Sequence, residues 1–263
     1  MPTSSGNAGP AAQGLEVADV VAGYGGAPVL KGLSLTVSPG QVVAVVGPNG
    51  AGKSTLMRAI TGTVRISSGI VTIGGVDITK WSSERRSRHG LGYVPQSRDV
   101  FDSLTVQENL SMGGYMLPKR EVDDRITNVF SLFPSLLPLR TRVASKLSGG
   151  ERKLLGIGRA LVATPTVLLL DEPTASLSPE LSKVILTEHV RRLADTGVAV
   201  LLVEQKALQA LEVSDWAHVL VGGETRISGP SGEVLARRDI REVFLGAAAL
   251  AIEASTAEDG KRS

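Results

Sequence analysis

Three runs in this 263-residue chain are apolar at every position: Val42–Val46, Val167–Leu170 and Val198–Val203. A strand with one wet face alternates apolar and polar residues, so unbroken Val, Leu and Ala requires burial on both faces. Each run leads into a stretch of helical composition, Lys53–Thr61, Pro179–Ala194 or Ala207–Val213. That alternation is the pattern of a parallel sheet covered by helices. Leu15–Val21, Leu33–Val37 and Ile70–Ile73, joined by Gly-rich turns, read as antiparallel β, and Leu91–Val94 as a further strand. No strand signal appears between Arg98 and Lys146, where Val106–Met112 and Val122–Leu132 read as helices. The expected fold is α/β, with a mainly parallel core sheet, an antiparallel flank and a helical insert.

Composition narrows the chemistry. A formal charge of +2 gives no reason to expect sequence-independent binding to nucleic acid or anionic lipid. With no cysteine, disulfides, thiolate nucleophiles and Cys-ligated metals are excluded. No apolar run approaches the roughly 20 residues of a membrane span. The opening MPTSSGNAGPAAQG has no basic cluster and no apolar core, so it does not read as a signal peptide. Residues 1–13 and 247–263 are expected to be disordered, being rich in small and polar side chains. His89, His189 and His218 have no metal-ligand spacing, and Glu84-Arg85-Arg86-Ser87-Arg88 reads as a solvated helix face.

Directly after Val42–Val46 stands Gly47-Pro48-Asn49-Gly50-Ala51-Gly52-Lys53-Ser54, which fits G-x-x-x-x-G-K-[ST]. Glycine lets backbone N–H groups approach a phosphate closely, and the following helix adds its positive end. Lys53 can reach the outer phosphates, and the Ser54 hydroxyl can serve Mg²⁺. A glycine-rich steric turn is the alternative, but the strand–loop–helix context favours nucleotide. The run ending at Leu170 leads to Asp171-Glu172. A carboxylate there can hold Mg²⁺, and its neighbour can orient or deprotonate an attacking water. Acids placed at a helix start for dipole stabilisation are the alternative.

About twenty residues before Asp171 stands Leu147-Ser148-Gly149-Gly150-Glu151. With the two phosphate-site elements, this resembles the signature of the ABC ATPases, over nearly the whole chain from Leu15 to Gly246. The resemblance implies a P-loop cassette over 14–246 with a helical subdomain at about 98–160. It implies ATP and Mg²⁺, bound by Gly47, Pro48, Asn49, Gly50, Ala51, Gly52, Lys53, Ser54 and Thr55. Ser54, Gln96 and Asp171 would serve the metal, and Glu172 would be the general base. Tyr24 looks like the aromatic that stacks on adenine, a core tyrosine being its alternative. Gln96 looks like the glutamine that senses γ-phosphate, Pro173–Pro179 occupies the D-loop region, and Gln205 the switch position. Ser148, Gly149 and Gly150 would face the nucleotide of a second cassette.

Three positions depart from the general pattern: Glu151 replaces glutamine, Ser178 an aspartate and Gln205 a histidine. With LLVEQ, GYVPQSRDVFDSLTVQENL and the ending Arg241–Gly246, these resemble ATP-binding subunits of branched-chain amino-acid importers and of related urea and short-amide importers. That subgroup implies a peripheral place on the cytoplasmic face of the membrane. It also implies two permease subunits, an extracytoplasmic solute-binding protein, and a second ATPase that retains the histidine, or a second copy of this chain. No nucleic acid is expected. A DNA-repair or ribosome-associated ATPase fits poorly, because those carry long coiled-coil insertions or two cassettes. A small-molecule kinase has no use for Leu147–Glu151.

Overall fold

The unbroken apolar runs form the interior strands of a six-stranded sheet. The computed structural model describes residues 14–237 and residue 240. In chain order come β1 (Leu15–Ala22), β2 (Leu30–Val37), β3 (Val42–Val46), α1 (Lys53–Thr61), β4 (Ile66–Ile73) and β5 (Val76–Asp77). Next are α2 (Ser83–Arg88), β6 (Leu91–Val94), α3 (Val106–Gly113), α4 (Lys119–Leu132), α5 (Gly149–Leu161) and β7 (Val167–Asp171). The chain continues through α6 (Pro179–Val184), α7 (Arg191–Asp195), β8 (Ala199–Glu204) and α8 (Ala207–Val213). A hairpin, β9 (Trp216–Val221) and β10 (Glu224–Pro230), precedes α9 (Ser231–Ala236).

The larger sheet has the order β10-β9-β3-β8-β7-β6, parallel except for β10. The smaller sheet, β2-β1-β4-β5, is antiparallel throughout. Alternate residues of each interior strand enter two different cores. Val42, Ala44, Leu168, Leu170, Val200 and Leu202 pack with the helices of the insert, α5 and α8. Val43, Val45, Leu169, Leu201 and Val203 pack with α1 and the smaller sheet. Both faces are dry, which is why no polar residue interrupts the runs. Among the described residues, no helix is long and apolar enough to cross a membrane.

The segment from 98 to 146 contains α3, α4 and two short 3-10 turns, with one isolated bridge between Thr105 and Val143. The helix expected over Pro179–Ala194 is α6 and α7 joined by a π-helical stretch, Ile185–Val190. The β9–β10 hairpin was not expected from the sequence. His218 in mid-strand breaks the apolar run, yet it is buried at the seam between the sheets. Expectations for residues 1–13, 241–246 and 247–263 lie outside the described residues.

One expectation fails at α2. Glu84, Arg85 and Arg88 are exposed, but Arg86 is only 2% exposed. Its guanidinium donates to the carbonyls of Ala59 and Ile60 at 2.7 Å, Thr79 at 2.7 Å and Trp81 at 3.1 Å. The last carbonyls of a helix have no intrahelical partner. Arg86 supplies one for α1, so the charge run is a solvated face with one inward-turned cation.

Candidate active site

The C-terminal ends of parallel strands form one edge of a sheet, where ligands of open α/β folds collect. Here β3 ends at the glycine loop, β7 at Asp171 and Glu172, β8 at Glu204 and Gln205, and β6 just before Gln96. Within the loop, Gly47 lies so close to the Leu220 carbonyl that a Cβ would stand 2.3 Å from its oxygen. Gly52 caps α1 at φ 109°, in the left-handed region that disfavours any side chain. The loop is braced by the β9–β10 turn, where Gly223 N–H donates to the Ala51 carbonyl at 2.9 Å.

Lys53 opens α1 and is 5% exposed. Its ammonium folds back over the loop, donating to the Gly47 carbonyl at 2.7 Å and the Pro48 carbonyl at 3.1 Å. Burial lowers its pKa, while Glu172, Asp171 and Glu204 act in the opposite sense. Ser54 is exposed one residue further on, and Thr55 is buried. Tyr24 is 59% exposed, which overturns the core-tyrosine alternative. Its hydroxyl lies 3.5 Å from Thr55 Oγ1 and accepts from Arg58 at 3.0 Å, so its ring stands beside α1.

Asp171 is buried, which raises its pKa, and accepts from the Tyr93 hydroxyl at 3.2 Å. Glu172 has φ 46°, a left-handed backbone that costs a non-glycine residue about 1–3 kcal/mol. Its N–H donates to the Val203 carbonyl at 2.8 Å, which helps to hold it there. The carboxylate accepts from Gln96 Nε2 at 2.8 Å. Burial raises its pKa, Lys53 opposes, and Glu204 and Asp171 add to the rise. A raised pKa makes a carboxylate a stronger base.

Sequence reasoning missed the residues that hold this edge together. Glu204 is fully buried and accepts from Thr174 N at 2.9 Å, Thr174 Oγ1 at 2.7 Å and Gln205 N at 3.2 Å. Lys206 donates to the carbonyls of Thr174 and Leu177 at 3.0 and 3.1 Å, and to Ser182 Oγ at 2.8 Å. The exposed Gln205 therefore sits between two residues that fix the 174–182 segment. Tyr93 was likewise assigned no role. Glu204 and Tyr93 stand within LLVEQ and GYVPQ, and Lys206 just after the first, but those strings assign none of the three a role. Their partners are distant in sequence, and only the sheet order brings them together.

Ser148, Gly149 and Gly150 begin α5. Ser148 Oγ accepts from Glu151 N at 3.3 Å, and the Glu151 carboxylate accepts from Ser148 N at 2.8 Å. This reciprocal capping box was readable as S-x-x-E and gives the glutamate at position 151 a structural reason. A Cβ on Gly150 would stand 2.7 Å from the Leu181 side chain. Ser178 caps α6, accepting from Leu181 N at 3.3 Å. Serine and aspartate are comparable N-caps, so this departure keeps the helix start.

Comparison with known proteins supplies the family. The ABC transporter family profile matches residues 30–175. The chain is 40% identical to a protein of Archaeoglobus fulgidus named "Probable branched-chain amino acid transport ATP-binding protein LivF", covering 86% of this chain and 95% of that one. This chain belongs to the ABC transporter ATP-binding family. The ABC cassette is also 38% identical to the high-affinity branched-chain amino acid transport ATP-binding protein BraG of Pseudomonas aeruginosa, over 85% of this chain and 95% of that protein. It is 34% identical to the lipopolysaccharide export ATP-binding protein LptB of Escherichia coli, over 85% and 93%. Among solved structures, the ADP conformation of the cassette MJ1267 superimposes with a TM-score of 0.81 at 29% identity, covering 89% of this chain and 99% of that one. A nucleotide-free cassette gives 0.79 at 28%, covering 88% and 98%. The α/β cassette fold and an ATP-hydrolysing transporter subunit are therefore established.

Proposed function

We propose that this ABC cassette powers a branched-chain amino acid importer. The support is the combination of Gln205, Glu151 and Ser178 with 38–40% identity to two proteins named for that transport. LptB, a 34% identical relative, is named for lipopolysaccharide export, so likeness in the cassette alone does not fix a cargo, and a urea or short-amide importer is the second reading. The unit comprises 14–246, with a helical subdomain at about 98–160 that docks on a permease. The fold offers exposed Phe101, Met112 and Tyr115 in that region as contact groups. Two permeases, an extracytoplasmic solute-binding protein and a second ATPase or second copy of this chain complete the assembly, with this chain peripheral at the cytoplasmic face of the membrane.

In this reading the loop 47–55 binds the ATP phosphates, with Lys53 turning from its loop carbonyls to the outer phosphates. Tyr24 stacks on adenine. Ser54, Asp171 and Gln96 offer the hard oxygen donors that Mg²⁺ prefers. Among the described residues no three His, Cys, Asp or Glu side chains gather in a metal-holding group. Mg²⁺ would thus take its remaining ligands from phosphates and water, and bound there it would neutralise phosphate charge. Glu172 accepts the proton of the attacking water, and Gln96 orients that carboxylate. Gln205 can donate to the γ-phosphate but cannot take up a proton. Ser148, Gly149 and Gly150 meet the nucleotide of the opposing cassette.

The observation that carries the assignment of the base is the strained, Gln96-bonded Glu172 with its raised pKa. Glu172→Gln keeps the shape and loses the base. ATP turnover should fall by about 10²–10⁴-fold while ATP still binds. Lys53→Ala should instead weaken ATP binding. Wild-type turnover in Glu172→Gln would sink the base assignment.

A further inference from the structure

A cleft of about 330 Å³ lies beside Glu172, lined among others by Gln96, Asp99, Gly149, Lys153 and Ser176. Its wall carries a buried ion pair outside the catalytic set. Lys153 Nζ donates to Asp99 Oδ2 at 2.7 Å, with the two side chains 11% and 6% exposed. The same ammonium reaches the Gln96 carbonyl at 3.4 Å, while the Gln96 side chain donates to Glu172. Lys153 lies one turn into α5, behind Gly149 and Gly150. Asp99 lies in the loop that leaves β6 through Gln96.

The helix is shaped to receive this aspartate. A Cβ on Gly156 would stand 2.9 Å from Asp99 Oδ2 and 3.1 Å from its Cβ, so α5 bears no side chain where Asp99 packs. Arg152, the neighbour of Lys153, pairs with Asp102 further along the same loop. Burying two charges carries a desolvation cost that an apolar pair of similar volume avoids. What the ion pair adds is a single register between loop and helix.

We infer that Asp99 and Lys153 are positioning residues that tie Glu172, through Gln96, to the signature helix of the same chain. ATP held by Lys53 is then felt at Ser148–Gly150. This rests on the paired-cassette reading above, in which that signature faces the other nucleotide. Each chain thus carries the state of its own site to its partner's.

The tie acts within one chain and is testable there. The full chain is loaded with Mg²⁺ and a non-hydrolysable β,γ-imido ATP analogue, at a concentration where sedimentation shows monomer. Hydrogen exchange of the Gly149–Lys153 amides is then read with and without the nucleotide. The wild-type chain should slow at least about threefold on binding. Asp99→Leu/Lys153→Met replaces the pair by apolar groups that keep the fold. In it the response should fall below about 1.5-fold, with nucleotide affinity within about twofold of wild type and an unchanged thermal midpoint. Asp99→Asn alone leaves the ammonium unpaired and should lose the response as well. An equal response in wild type and the double variant, or none in wild type, overturns the tie. Failure of the paired-cassette reading has another signature: the transporter copurified through this chain holds a single cassette in all, while the exchange response of the chain persists.

Discussion

At the scale of single residues, chemistry-bearing positions were legible wherever a local string fixes both residue type and spacing. Lys53, Asp171 and Glu172 are of this kind: a loop or a strand end places them, and the structure brings all three to one sheet edge. Glu204, Lys206 and Tyr93 were not legible, because their meaning lies in partners 24 to 78 positions away. His218 is a further case. Sequence reading found no metal-ligand spacing around it, and burial depresses its pKa from 6.5 to about 4. Its Nδ1 is buried without a hydrogen-bond partner. The unfolded chain therefore takes up a proton near pH 6.5 that the folded chain refuses until about pH 4. The stability at stake is fully present above pH 6.5, falls as pH drops to 4, and changes no further below. Each pKa unit is worth about 1.4 kcal/mol, so on the order of 3 kcal/mol is involved. His218→Gln should flatten that part of the stability curve, measured by urea unfolding at pH 7, 5.5 and 4. A curve parallel to wild type would show that His218 titrates normally in the folded chain.

At the scale of elements, boundaries were legible where the driving force is local. The strand β3 and the helix α1 match their expected ranges because apolar continuity and the glycine loop delimit them. The β9–β10 hairpin and the π-helical stretch were not legible, since tertiary packing alone decides them. The misread charge run has the same origin: periodicity marks Arg86 as polar but says nothing of the Ala59 and Ile60 carbonyls waiting at the end of α1. One of these elements carries a stability prediction. The helix that begins with Lys53 ends on the Ala59 and Ile60 carbonyls that Arg86 satisfies. Arg86→Met keeps the apolar stem and removes the guanidinium from the Ile60, Thr79 and Trp81 carbonyls, the Ala59 carbonyl keeping the Gly62 N–H, and each unsatisfied buried group costs about 1–3 kcal/mol. Partial access to water lowers the total, and a loss of roughly 3–5 kcal/mol is expected in chemical unfolding. Arg86→Lys should recover only part, because one ammonium cannot serve four carbonyls arranged around a planar fork. Full stability in Arg86→Met would show that those carbonyls find water instead.

At the scale of the molecule, the arrangement implies a functional unit larger than this chain. Its phosphate loop and its Ser148–Gly150 segment sit at the starts of different helices, α1 and α5. The cleft that reaches Gly149 is walled by Gln96 and Glu172 and by none of residues 47–55. A helix N-terminus with serine and two glycines suits a γ-phosphate, but the cleft that this one borders takes no residue from the chain's own loop. A second cassette completes the site, so the isolated chain should turn over ATP poorly. We infer the kind of cassette from Gln205. An amide holds phosphate but shuttles no proton, whereas an imidazole can do both near neutral pH. A pair built from two copies of this chain would lack the imidazole at both sites, and a pair with a histidine-bearing relative would have one site of each kind. The expected assembly is therefore a heterodimer with unequal turnover. Copurification of the intact transporter through this chain should yield two different ATPases in equal amounts. Glu172→Gln in this chain and the matching change in the other should then depress turnover to different extents. A fully active transporter holding two identical copies of this chain would overturn the heterodimer and leave the shared nucleotide site standing.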